Sequence, residues 1–263
     1  MDPASAERLC QIALQTARQA GAVALGGYRR PLTVALKGDK DLVTEFDLST
    51  ERFVRERLAE LTPEIPVFGE EEGGAEVGLT WFCDPIDGTA NFAHGHPFWA
   101  VSLGLMNQGE ALLGAVVAPA LGLHWHGVAS TAAFRNDEPC RVSDGSELSA
   151  ALAATGFPRA RDRAPDNNFD SFVHVKKRIQ GVRRCGAASI DVCLVADGTY
   201  DFYWERKLST WDLAAGVAIA RAAGAIVSDL RGGAADLSRG RVIVSNPHLH
   251  AQAVALIAES EDP

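Results

Sequence analysis

The sequence lacks what several protein classes require. No apolar run approaches the roughly 18 residues that span a bilayer. The longest candidate, 213–223, is Ala-rich and broken by Gly216 and Arg221, so no membrane partner is expected. The N-terminus has no basic start followed by an apolar stretch, and no secretory signal is expected. The five cysteines are odd in number and include no Cys-x-x-Cys pair, which argues against a disulfide framework or a zinc ribbon. Reduced, mostly buried thiols in a cytoplasmic protein are the expectation. Positive charge is short as well: 25 Lys+Arg face 34 Asp+Glu, a formal net charge of −9. That balance argues against nucleic acid as a partner, because phosphate backbones attract basic surfaces. Repeats, low-complexity tracts and linker-like composition shifts are also missing.

What is present is an ordinary globular composition, 47% apolar and 22% charged, in a chain able to bury a core without staples. Leu9, Ile12, Ala13, Ala17, Ala20 and Val23 recur at helical spacing until Gly26-Gly27. A second helix is expected over 48–61, capped by Ser49 and stopped by Pro63, after two short strands within 33–46. Strands are expected at 81–84, 98–106, 111–118, 121–129 and 134–142, with hairpin signals at 107–110 and at Asn136-Asp137. Beyond 150, helices at 167–180, 187–197, 213–223 and 247–259 alternate with strands at 182–184, 200–204, 225–229 and 242–245. The pattern is mixed α and β, read as a single domain over 1–263 whose halves, 1–145 and 146–263, meet near residue 145.

The strongest local signal is Asp84-Pro85-Ile86-Asp87-Gly88-Thr89, directly after an apolar strand. Hard divalent cations take oxygen ligands. Two carboxylates three residues apart across a rigid proline can face one point, and a backbone carbonyl can join them. Gly88 permits close backbone approach, and Thr89 opens a short helix whose free N–H groups suit a phosphate. On these six residues alone, a plain Asp-Gly turn fits equally well. Three further acids point the same way jointly. Glu70 lies in Gly69-Glu70-Glu71, Asp47 precedes the second helix, and Asp212 follows Trp211 at the start of an Ala-rich helix. Taken singly, each is also explained as a loop acid or a helix-start carboxylate.

With these motifs in order, the chain resembles the inositol monophosphatase family of magnesium-dependent, lithium-sensitive phosphatases. The resemblance rests on Gly69-Glu70-Glu71, on 84–89 followed by Asn91-Phe92, on Trp211-Asp212, on Asp47 and on 186–198, and it extends from about residue 5 to 255. It implies an α+β fold, a layered αβαβα sandwich of the inositol monophosphatase / fructose-1,6-bisphosphatase type. It implies two to three Mg2+ ions: Glu70, Asp84 and the Ile86 carbonyl on one, Asp84, Asp87 and Asp212 on another, and a weaker one near Glu70. By the same resemblance Glu70, Thr89 and Asp47 are the catalytic set acting on a water that attacks directly. Asp87, Gly88, Thr89, Gly186, Ala187, Ala188 and Glu205 would bind substrate, and Lys37 would sit in a loop near the metals. A homodimer is implied too.

The implied reaction is hydrolysis of a small-molecule phosphate ester, most simply myo-inositol monophosphate. Histidinol phosphate, fructose 1,6-bisphosphate or a nucleotide 3′-phosphate would suit the same chemistry, and a non-catalytic regulator would suit the same scaffold. The chain departs from relatives at Ala187, where many carry Ser or Thr, and at Ser209-Thr210. The hairpin 127–137 also lacks a glycine-rich pattern. These departures bear on substrate preference and leave the metal ligands untouched. Three His-x-His pairs, His94/His96, His124/His126 and His248/His250, read as structural for want of a converging ligand set. Phe169, Phe172 and Val173 read as core. Arg183-Arg184 reads as a solvated strand end, with anionic substrate or a subunit as the other option, and Cys185 as an inert thiol despite Arg184.

Overall fold

The computed structural model describes residues 1–38, 41–158 and 166–260. Helix α1 (Pro3–Leu25) starts at Asp2, whose carboxylate accepts the Ser5 N–H at 3.0 Å, and buries Leu9, Ala13, Ala17 and Ala20 along one face. Strands β1 (Val34–Gly38) and β2 (Asp41–Thr44) form a small antiparallel ribbon. Helix α2 (Glu45–Leu61) begins earlier than its spacing predicts. Thr44, not Ser49, is the cap: its hydroxyl accepts from Phe46 and Asp47, and Asp47 accepts the Thr44 N–H in return. That reciprocal box satisfies two otherwise orphaned donors, and Ser49 lies inside the first turns.

The larger sheet runs in sequence order through β3 (Val67–Gly69), β4 (Leu79–Asp87), β5 (Ala100–Asn107), β6 (Glu110–Ala118), β7 (Leu123–Val128), β8 (Ala133–Arg135) and β9 (Glu138–Cys140). Only the β3–β4 pairing within it is parallel. A short helix, α3 (Thr89–Ala93), separates β4 from β5. The smaller sheet has β10 (Leu152–Thr155), β11 (Gly181–Arg183), β12 (Phe202–Glu205), β13 (Ile226–Ser228) and β14 (Val242–Ser245), in the order β11-β10-β12-β14-β13. Its helices are α4 (Phe169–Lys176), α5 (Ala188–Ala196), α6 (Thr210–Ala222) and α7 (His250–Ala258).

Burial orders these elements into five layers, αβαβα. Leu9, Leu14, Val54 and Leu58 of α1 and α2 pack on Trp81, Leu103, Leu105 and Leu113 of the larger sheet. The opposite face, with Phe82, Val116 and Trp125, packs on α5 and α6, which also meet Tyr203, Val242 and Val244 of the smaller sheet. Strand alternation sends Phe202 and Trp204 the other way, onto Val175, Leu256 and Ile257 of α4 and α7. The Ala-rich face of α6 lies directly on glycines of the sheet. A Cβ at Gly104 would sit 2.5 Å from the Ala215 nitrogen, and one at Gly114 would sit 2.4 Å from its Cα.

One expected core stripe is wrong. Phe169 and Val173 are 43% and 48% exposed. The helix there is shorter than expected, Ser171 and Val175, four apart, form its buried side, and Ile179 is buried just beyond its end. All five cysteines are free thiols. No helix of the described residues is long and apolar enough to cross a membrane.

Candidate active site

The site begins where β4 loses its regularity. Its ladder to β5 runs from Asp84↔Ser102 to Asp87↔Ala100, so one extra residue is accommodated between the two acids. Pro85 has no N–H to give the ladder, which suits it to such a bulge. Asp84 and Asp87 therefore line the same cavity, of about 540 Å³. The turn is locked from within: Ile86 N–H donates to Asp84 Oδ1 at 3.0 Å, and the Thr89 hydroxyl lies 3.1 Å from the Ile86 carbonyl. Gly88 closes the turn at φ 90°, where an added Cβ would also come within 3.0 Å of the Phe98 carbonyl. Only glycine meets both conditions without strain.

Other elements deliver the remaining acids to this strand end. β3, parallel to β4, ends at Gly69, and the next N–H, of Glu70, donates to the Cys83 carbonyl at 3.1 Å. The loop beyond is tied down by Glu51 of α2. This buried carboxylate accepts the Glu71 and Glu72 N–H groups at 2.7 and 3.0 Å and pairs with Arg55 at 2.8 Å. Gly69 leaves room for it, since a Cβ there would fall 2.2 Å from Glu51 Oε1. Asp47, the third residue of its capping box, turns its second oxygen to the Thr89 hydroxyl at 3.1 Å. Asp212 occupies the same position in α6, accepting the Ser209 N–H at 2.7 Å while lining the cavity.

The opposite wall comes from the smaller sheet and α5. Gly186, Ala187, Ala188 and Glu205 all line the cavity. Asn91 stitches the two walls by donating to the Phe98 carbonyl at 2.6 Å and the Cys185 carbonyl at 2.9 Å. Asp87 reaches across α5 to accept the Ser189 N–H and hydroxyl at 2.7 and 2.6 Å. The Tyr203 hydroxyl donates to Glu205 Oε2, and Gly156 makes space for that carboxylate, because a Cβ there would lie 2.2 Å from Oε1.

The field inside is strongly negative. Burial first, then repulsion from Glu70, Asp87, Asp212 and Asp47, push the Asp84 carboxyl well above the usual range. Burial lifts Asp87 to about 6 against the Ser189 hydrogen bonds, and Glu205 to about 7 against the Tyr203 hydroxyl. Burial also raises Asp47. Buried acids that repel one another in this way form the donor set a divalent cation satisfies, since its charge reverses the local balance. The residues present therefore fit metal ions at Glu70, Asp84, Asp87, Asp212 and the Ile86 carbonyl.

Thus Glu70, Asp84, Ile86, Asp87, Gly88, Thr89, Gly186, Ala187, Ala188, Glu205 and Asp212 line one cavity, with Asp47 behind Thr89. Lys37 is in β1, but its side chain lies outside the described residues. The sequence reading missed Glu51, whose signal was an acid one turn after Asp47 on the same helix face. It also missed Asp191 and Lys207, which line the cavity. Arg184 lines it too and is not merely a solvated strand end. The Cys185 thiol is raised rather than lowered, because burial outweighs Arg183 and Arg184. One His-x-His pair does meet a carboxylate: His124 and His126 converge with Asp137.

A family model described as "Inositol monophosphatase family" matches residues 5–262. An inositol-1-monophosphatase of Synechocystis sp. is 36% identical over 252 residues, covering 94% of this chain and 88% of that one. A protein of Pseudomonas aeruginosa named Nus factor SuhB is 36% identical over 249 residues, covering 90% and 91%. Among solved structures, the inositol monophosphatase from Anabaena superposes with a TM-score of 0.88 at 34% identity, covering 96% of both chains.

Proposed function

The chain belongs to the inositol monophosphatase family, and from that premise we propose that it hydrolyses myo-inositol monophosphate to inositol and phosphate in a magnesium-dependent reaction. The supporting observation is the meeting of Glu70, Asp84, Asp87 and Asp212 in one cavity with Thr89 and Glu205. In this reading Glu70, Asp84, Asp87, Asp212 and the Ile86 carbonyl hold two to three Mg2+ ions. When bound, such ions offset phosphate charge and make a coordinated water more acidic.

The chain's own groups do the rest. Glu70 accepts a proton from the attacking water. Thr89 Oγ1 orients that water while donating its own proton to Asp47 Oδ1, 3.1 Å away. The Gly88 and Thr89 N–H groups face the phosphate oxygens. Tyr203 occupies Glu205 Oε2, which leaves Oε1 to accept from a ring hydroxyl. Gly186, Ala187 and Ala188 bring backbone against the same ring. Lithium inhibition, a cytoplasmic location and a homodimer belong to the same proposal.

A second reading is a regulatory role on this scaffold, favoured by the Pseudomonas aeruginosa relative named Nus factor SuhB. Steady-state rates on inositol 1-phosphate, histidinol phosphate, fructose 1,6-bisphosphate and a nucleotide 3′-phosphate, with magnesium titrated, decide between them. Inositol 1-phosphate is expected to rank first. Histidinol phosphate well ahead of it would refute the substrate assignment. Turnover of none of them at saturating magnesium would favour the regulator.

A further inference from the structure

We propose that His124, His126 and Asp137 form a second metal site, away from the catalytic cavity, that takes a borderline divalent cation such as Zn2+ or Ni2+. One donor atom from each residue lies within 4.8 Å of the others. β7 places the two imidazoles on one face, two residues apart, with ring centroids 6.4 Å apart and planes 14° off parallel. Asp137 arrives from the β8–β9 turn, where Asn136 and Asp137 both take left-handed backbone, φ 49° and 67°. Asn136 pins that turn to β7: its Oδ1 accepts the His124 N–H at 2.9 Å, and its Nδ2 donates to the Gly122 carbonyl at 3.2 Å. The third ligand is thus delivered by a built turn.

Two observations point to a ligand. His126 is 6% exposed, stacked on Phe134 at 5.0 Å, and its Nδ1 is buried with no hydrogen-bond partner. The second observation is that a cation already contacts this ligand set. Arg18 of α1 places Nη2 2.6 Å from His124 Nε2 and 2.9 and 3.1 Å from the Asp137 oxygens. A guanidinium can only donate, so that contact makes His124 Nε2 an acceptor. It then lies 3.1 Å from Asp137 Oδ1, another acceptor. Two lone pairs side by side are what a metal ion accommodates, since donors of a tetrahedral zinc site are about 3.4 Å apart.

Arg18 is half-exposed and can swing outward, and the three donor atoms, within 4.8 Å of one another, would close to about 3.4 Å around a bound ion. Two ring nitrogens with one carboxylate select Zn2+, Ni2+ or Cu2+ over Mg2+, which prefers all-oxygen octahedra. Three protein ligands leave a fourth position open. Arg18 is therefore the metal's competitor for the site.

The test titrates Zn2+ against a chromophoric chelator, using the full chain in excess Mg2+. The variants are Asp84→Asn, His124→Ala, Asp137→Asn and Arg18→Ala, each checked for folding by circular dichroism. One Zn2+ equivalent is expected to survive Asp84→Asn and to weaken by roughly tenfold or more in both His124→Ala and Asp137→Asn. Arg18→Ala is expected to tighten it by a similar factor. Equal affinity in wild type, His124→Ala and Asp137→Asn would overturn the proposal. So would loss of the equivalent in Asp84→Asn alone, which assigns the ion to the catalytic carboxylates.

Discussion

Replacing Glu205 by Gln should stabilise the metal-free protein, and by more at alkaline than at acid pH. Glu205 is buried, accepts from the Tyr203 hydroxyl, and titrates at about 7 instead of its ordinary 4.5. Between those two values the folded state binds more protons than the unfolded chain. Stability from this residue is therefore greatest below 4.5 and is lost as pH rises through 7. At about 1.4 kcal/mol per pH unit, that gap corresponds to a loss of about 3 kcal/mol by pH 8. At pH 5 the loss is under about 1 kcal/mol by the same linkage. Gln keeps an acceptor for Tyr203 and never ionises, so the variant escapes the loss. Urea unfolding at pH 5 and pH 8, with chelator present, measures the difference directly. The Gln variant should gain about 2 kcal/mol more at pH 8 than at pH 5. An equal gain at both pH values would refute the claim that desolvation of this carboxylate governs the effect.

Three other outcomes follow from the geometry. Thr89→Val removes the hydroxyl 3.1 Å from Asp47 and should lower kcat by about 10²–10⁴, with far-UV circular dichroism unchanged. Glu51→Gln replaces one acceptor facing the Glu71 and Glu72 N–H groups with a donor; magnesium titration of activity should show a requirement raised by roughly tenfold or more. Gly114→Ala sets a methyl 2.4 Å from Ala215 Cα and should cost about 1–3 kcal/mol in urea unfolding, while residual folded enzyme keeps its KM.

The acids that line the cavity were legible jointly, through the family resemblance, since each taken singly also reads as a turn, loop or helix-start carboxylate. Asp84, Asp87 and Asp212 each sit beside a Gly, Trp or Pro that marks a turn or helix start. The layered architecture was legible through the family resemblance, and the mixed α and β content through the alternation of helical and strand periods. Three things were not. Glu51 acts through the Glu71 and Glu72 N–H groups about 20 residues away, a pairing no local pattern encodes. The cap of α2 moved from Ser49 to Thr44 because the Asp47 side chain completes a box there, and composition does not distinguish the two starts. Phe169 and Val173 fit a helical stripe, but α4 turns Ser171 and Val175 inward instead, with Val175 packed in the cluster of Phe202, Trp204 and Leu256. Asp137 joined His124 and His126 only through cross-strand register, which the sequence leaves unspecified.

Part of the excess negative charge is concentrated at one place in the fold. Five of the 34 acids, Asp47, Glu70, Asp84, Asp87 and Asp212, surround one strand end, and their mutual repulsion is the property a divalent cation would relieve. Phosphate release from inositol 1-phosphate against magnesium concentration, in wild type and Asp84→Asn, tests that claim most directly. Wild type should be silent in chelator and saturate with magnesium, whereas Asp84→Asn should lose nearly all turnover at every concentration while remaining folded. A wild-type rate from Asp84→Asn, or turnover by the wild type in chelator, would contradict it.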